Sequence, residues 1–290
     1  MRLSIRRAEP RADGAQMPLA VYVHGLGGSA LNWTDLMGLL RDRVDGVAID
    51  LPGFGESPPP ADGDYSTFGH ARAVLRLIEW LGKGPVHLLG NSMGGAVAVR
   101  VAAQRPDLVR TLTLISPALP DLRLRRTSAS TGLLAVPGIG HALTRWIHRM
   151  PPERRAQAAA ELMYANAAAV PEPLLRIAAE EYAKRSRCPW AQQALLASAR
   201  GIIRAYLERG PQSLWSQAAR VRAPTLLVYG RQDKLVDSRL AVRAAETFPR
   251  SRLVVLPDSG HVAMMEHPRL VAAAVRELLE DSERETGTGQ

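Results

Sequence analysis

The chain has one cysteine, Cys188, among its 290 residues, so neither an intramolecular disulfide nor a cysteine-based structural zinc site can form. Lysine is nearly absent. Only Lys83, Lys184 and Lys234 occur, and the remainder of the 37 basic residues are arginine. No apolar run approaches the roughly 18 residues that a membrane span needs. The opening MRLSIRRAEPRADG has charge but no apolar core, which argues against a secretory signal. No HExxH pattern or clustered His/Asp spacing occurs, so a metal hydrolase is disfavoured and no metal or cofactor is called for. The expectation is a soluble, cytoplasmic protein.

What is present is a globular composition, 46% hydrophobic and 22% charged, long enough for one large domain or a domain with an insertion. The net charge of +9 invites a nucleic-acid partner. The arginine skew in an alanine-rich chain instead reads as base-composition bias. No zinc knuckle, aromatic RNA-binding signature or run of five basic residues supports such a partner.

Six short, nearly continuous apolar runs mark strands buried on both faces: Leu19–Val23, Gly46–Ile49, Val86–Leu89, Leu112–Ile115, Thr225–Tyr229 and Leu253–Leu256. Helical spacing lies between them, as in Phe68, Ala71, Leu75, Ile78 and again in Leu270, Ala274, Leu278. Strand alternating with helix predicts an α/β fold with a mostly parallel sheet flanked by helices. From about Leu119 to Ala218 no strand is legible. The sequence predicts an inserted helical segment at 119–218, between core parts 1–118 and 219–290. The insertion holds 14 basic and 7 acidic residues, hence +7 of the total charge.

The third run leads into Gly90-Asn91-Ser92-Met93-Gly94-Gly95 and then a helix. Gly-x-Ser-x-Gly between strand and helix puts a serine on a sharp turn, exposed at the carboxyl edge of the sheet and next to a helix N-terminus. A serine hydroxyl is a weak nucleophile until a base takes its proton and a carboxylate orients that base. The required order is Ser, acid, His, each after a strand. His261, in Pro257-Asp258-Ser259-Gly260-His261, is the histidine just past the last strand. Asp233, three residues beyond Gly230, is the favoured carboxylate, with Asp121, Asp237 and Asp258 as competitors. For the oxyanion, backbone N–H donors are expected from Met93 and from Leu26 in the His24-Gly25-Leu26-Gly27-Gly28 loop. His24 is expected to brace that loop by hydrogen bonds.

These pieces resemble the α/β-hydrolase superfamily over nearly the full length: HGLGG at 24–28, DLPGFGES at 50–57, GNSMGG at 90–95, GRQDKLV at 230–236 and GHVAMMEHP at 260–268. The resemblance implies a Ser92–His261–Asp233 triad, an oxyanion hole at Leu26 and Met93, and a helical cap at the insertion. It also implies that Asp50 shapes a turn beside the site. Only Leu3–Arg7 stands for the family's N-terminal strand pair.

A serine at the elbow forms an acyl-enzyme, whereas the aspartate of dehalogenase-like members forms an alkyl ester. The leading expectation is hydrolysis of a small-molecule carboxylic ester, thioester or lactone. The alternatives are carbon–carbon bond hydrolysis of ring-cleavage products, which GNSMGG resembles, and perhydrolysis; a ligand receptor on the same scaffold is remote. Trp33, Met264 and Met265 are expected to contribute apolar surface to the pocket, with core packing as the plainer role. The positive charge of the cap, which includes Arg125 with Arg126 and Arg154 with Arg155, is suited to attract an anionic substrate or an acidic lipid surface, against the simpler expectation of a solvated face.

Overall fold

The computed structural model describes residues 2–9, 17–121 and 129–287. Its seven strands are β1 (Ile5–Arg7), β2 (Leu19–Val23), β3 (Asp45–Ile49), β4 (Val86–Asn91), β5 (Val109–Ile115), β6 (Thr225–Gly230) and β7 (Ser251–Leu256). They form one sheet in the order β1-β3-β2-β4-β5-β6-β7, with β1 antiparallel to β3 and every other pair parallel. The two-residue period of a strand sends alternate side chains to opposite faces. Leu19, Val21 and Val23 of β2 enter one core cluster, and Ala20 and Tyr22 the other. Both faces are therefore roofed by helices, which is why the central strands read as continuous apolar runs.

The expected strands are all present, most of them longer at one end. β7 departs from expectation in burial: it is an edge strand, and Val255 is 42% exposed. In the last helix Leu270 faces solvent, while Val271, Val275 and Leu278 form the buried face.

The core helices are α1 (Thr34–Leu40), α2 (Thr67–Leu81) and α3 (Met93–Gln104). Between β5 and β6 come α4 (Ala129–Ala135), α5 (Ile139–His148), α6 (Pro152–Met163), α7 (Glu172–Ser186), α8 (Ala191–Leu207) and α9 (Leu214–Ala218). α10 (Leu240–Thr247), α11 (Ala263–Glu266) and α12 (Pro268–Gly287) complete the chain. Prolines open α6, α7 and α12 at their first or second positions, where the missing N–H costs nothing. The inserted helices pack on loops at the carboxyl ends of the strands. A Cβ on Gly53 would meet Ala194, and one on Gly260 would meet Met163. The insertion is not a separate ball, because Ala194, Ile202, Leu214 and Ala218 share the main core with the sheet.

Candidate active site

Ser92 joins β4 to α3 with φ 54° and ψ −118°, in a region that non-glycine residues rarely occupy. The turn is held by Ser92 N–H donating to Ile115 O at 3.1 Å, and by Ser92 O accepting from Gly95, Ala96 and Ala118. Ser92 itself is only partly buried between fully buried neighbours.

His261 and Asp233 follow β7 and β6 on adjacent loops. His261 Nδ1 donates to Asp233 Oδ2 at 2.9 Å, and both residues are buried. The other carboxylate oxygen accepts Leu235 N–H at 2.7 Å and Val236 N–H at 2.9 Å. Burial opposes ionisation of Asp233. The adjoining His261, the Val236 N–H and the Ser116 hydroxyl outweigh it and hold the carboxyl below its usual range. With Nδ1 committed to Asp233, the imidazole Nε2 is the atom left for proton transfer. His261 is tied to the elbow through Asn91, whose Nδ2 donates to His261 O at 3.1 Å and to Ile115 O at 3.0 Å.

The loop after β2 approaches the same place, since a Cβ on Gly25 would stand 3.1 Å from Ser92 Cβ. His24 braces this loop as expected. Its Nε2 accepts Leu51 N–H at 3.0 Å, so Nδ1 carries the proton and donates to Gly25 O at 2.7 Å. Complete burial pushes its pKa down to about 4 and keeps it neutral. Asp50 ties the neighbouring turn, accepting Ala30 N–H at 2.8 Å and Glu56 N–H at 3.0 Å. The Leu26 and Met93 N–H groups enter no loop hydrogen bond among the described residues.

Other sequence-level expectations fare differently. Trp33 and Met264 are 0% and 1% exposed and share one core cluster with Tyr22 and Leu36, the plainer of the two roles expected for them. Met265 is half-buried, and its sulfur accepts from Asn32 Nδ2 at 3.5 Å. Arg125 and Arg126 lie outside the described residues. Arg155 is buried, donating to Ser186 Oγ at 2.8 Å, so of its pair only Arg154 faces solvent. His70 pairs with Ser198 at 3.0 Å across α2 and α8, but both are buried in helices and belong to packing. A cleft of ≈ 530 Å³ between Gly55–Glu56 and the α7–α8 turn is lined by Lys184, Arg185 and Trp190, and by neither Ser92 nor His261. Sequence reasoning missed Asn91, Lys234 and Glu266. All three lie inside the quoted motifs, which was the available signal.

The family model for the α/β-hydrolase fold matches residues 18–268. RutD of Pseudomonas savastanoi pv. phaseolicola, a carbamate hydrolase by name, is 31% identical over 266 residues, covering 89% of this chain and 92% of its own. A thermophilic esterase from Thermogutta terrifontis superposes with a TM-score of 0.73 at 25% identity, over 97% of this chain and 93% of that one. The meta-cleavage product hydrolase CumD of Pseudomonas fluorescens superposes with a TM-score of 0.75 at 19% identity, over 97% and 95%. At that identity CumD speaks to fold alone. Among the described residues no helix is long and apolar enough to cross a membrane.

Proposed function

Because the chain belongs to the α/β-hydrolase fold family and is an enzyme of it, we propose that it cleaves a small-molecule carboxylic ester, thioester or lactone through an acyl-enzyme on Ser92. The observation that carries this reading is the buried 2.9 Å pair of His261 Nδ1 and Asp233 Oδ2, on the two loops beside the Ser92 elbow. Acylation begins when Ser92 Oγ attacks the acyl carbon and its proton passes to His261 Nε2. The Leu26 and Met93 N–H groups receive the developing oxyanion, and Asp233 stabilises the imidazolium. Collapse expels the alcohol, which takes the proton back from His261. Water then attacks the acyl-enzyme by the same route, releasing the acid and restoring Ser92.

The insertion from 119 to 218 serves in this reading as a cap that sorts substrates above the serine. Its contacts with the loops at Gly27, Gly53 and Gly260 support that place. The test is a panel of p-nitrophenyl esters graded by acyl length, run beside a carbamate and one ring-cleavage dienoate. Graded ester turnover that disappears in Ser92→Ala supports the proposal. Turnover of the dienoate or the carbamate alone would replace it.

A further inference from the structure

Both loops that hold the Asp233–His261 pair are fastened to the carboxyl end of one inserted helix. The last carbonyls of any α-helix lack intrahelical donors. At the end of α6 the core supplies them. Lys234, the residue after Asp233, donates from Nζ to Glu161 O at 2.6 Å and reaches Tyr164 O at 3.5 Å. His261 gives its own backbone N–H to Met163 O at 2.7 Å. Glu266 closes the ring: Oε1 accepts Gly260 N–H at 2.7 Å and Oε2 accepts Ala165 N–H at 2.8 Å. The surfaces meet without slack, since a Cβ on Gly260 would stand 2.5 Å from Met163 O and 2.7 Å from Ala165 N.

The chemistry of the two side chains suits the task. A carboxylate can satisfy two N–H groups at once, one on each oxygen, whereas an amide offers a single acceptor oxygen. An ammonium at a helix carboxyl end meets both the free carbonyls and the negative pole of the helix.

We propose that Lys234 and Glu266 are positioning residues that lock the Asp233–His261 pair to the end of α6, so that the placement of His261 is set by the inserted helices as well as by the sheet. The proposal rests on the acyl-transfer reading of Ser92, His261 and Asp233. Neither residue acts on substrate; each acts through the loop that carries the base. A substrate that displaces α6 displaces His261 with it.

The test uses the full chain and four variants: Glu266→Gln, Lys234→Met, Lys234→Arg and Ser92→Ala. Ester kcat and KM are measured beside the low-field proton resonance of His261 Nδ1–H, with thermal unfolding as the control for folding. Glu266→Gln and Lys234→Met are expected to lower kcat by about tenfold, the scale of a sub-ångström misplacement of a catalytic group. KM should stay within about threefold, and the Nδ1–H resonance should shift or broaden. Lys234→Arg, which keeps charge and donors, should restore most of kcat. Two results overturn the proposal: folded variants with kcat and resonance both unchanged, or a rise in KM with the resonance unmoved. If Ser92→Ala keeps full activity, the acyl-transfer reading fails instead, and the resonance still reports on the lock.

Discussion

Asn91, one residue before Ser92, spends both protons of its side-chain amide on backbone carbonyls, those of Ile115 and His261 at 3.0 and 3.1 Å. The strand that carries the elbow thereby grips the histidine loop from within, while α6 grips it from above. Asn91→Ala leaves two buried carbonyls without that donor, at a cost of roughly 1–3 kcal/mol. It should also lower kcat by on the order of tenfold, because His261 loses one of its supports. Asn91→Asp should be worse on both counts, since a carboxylate would face two carbonyl lone pairs. Urea unfolding and ester turnover measure the two effects. An Asp variant as stable and active as the parent would contradict the role.

The nucleophile and the acid can be separated from their competitors by substitution. Ser92→Ala should lower kcat by on the order of 10⁴–10⁶, and an organophosphonate should label Ser92 and no other serine. Asp233→Asn should cost on the order of 10²–10⁴, through a wrong imidazole tautomer and a weaker imidazolium. Asp121→Asn should stay within a few-fold, because the carboxylate hydrogen-bonded to His261 Nδ1 is that of Asp233. Reversal of the two aspartate results would move the acid to the loop after β5.

How far the sequence could be read depended on whether a residue's neighbours were close along the chain. β2 was legible to the residue, because a strand buried on both faces is apolar without interruption. The elbow and the loops of Asp233 and His261 were legible because strand order alone places them at one sheet edge. The burial of β7 was misread, since its edge position depends on sheet order and not on its own residues. Trp33 read equally well as pocket or core, and only the packing of Tyr22 and α11 around it decides between them. Lys234 and Glu266 stood inside the motifs, but their contacts to the inserted segment could not be assigned, because those partners are main-chain atoms about 70 and 100 positions away, at Glu161 and Ala165. Main-chain atoms leave no mark on sequence.

Acid should destabilise the fold through histidines well before it titrates Asp233. Burial pushes the pKa of His24 to about 4, of His70 to about 3 and of His87 to about 4. An unfolded histidine titrates near 6.5. From there down to the folded values, the unfolded chain binds protons that the folded chain refuses, so stability falls as pH falls. Each such histidine contributes about 1.4 kcal/mol per pH unit in that window. Asp233 adds to the loss at lower pH. Its depressed folded pKa gives stability that is complete above the ordinary carboxylate range and vanishes as pH drops through the folded value. Urea midpoints at pH 7.5, 6 and 5 should decline steeply, and His70→Gln should flatten the slope. A flat profile from pH 7.5 to 5 would be incompatible with three neutral buried imidazoles.

Trp33 offers a clean separation of stability from specificity. Its ring has no exposed surface, lies 5.4 Å from that of Tyr22, and carries an indole N–H with no hydrogen-bond partner among the described residues. Trp33→Ala should cost roughly 3–5 kcal/mol, the usual result of emptying a large core site. Trp33→Phe keeps much of the volume and removes the unpaired donor, so its cost should stay below about 1.5 kcal/mol. A pocket-lining residue would respond in the opposite pattern: the ring swap would alter the preference for acyl length while stability barely moved. The structure therefore predicts an unchanged ester profile for Trp33→Phe and a lowered melting temperature for Trp33→Ala. A shifted acyl preference in the Phe variant would return Trp33 to the substrate pocket.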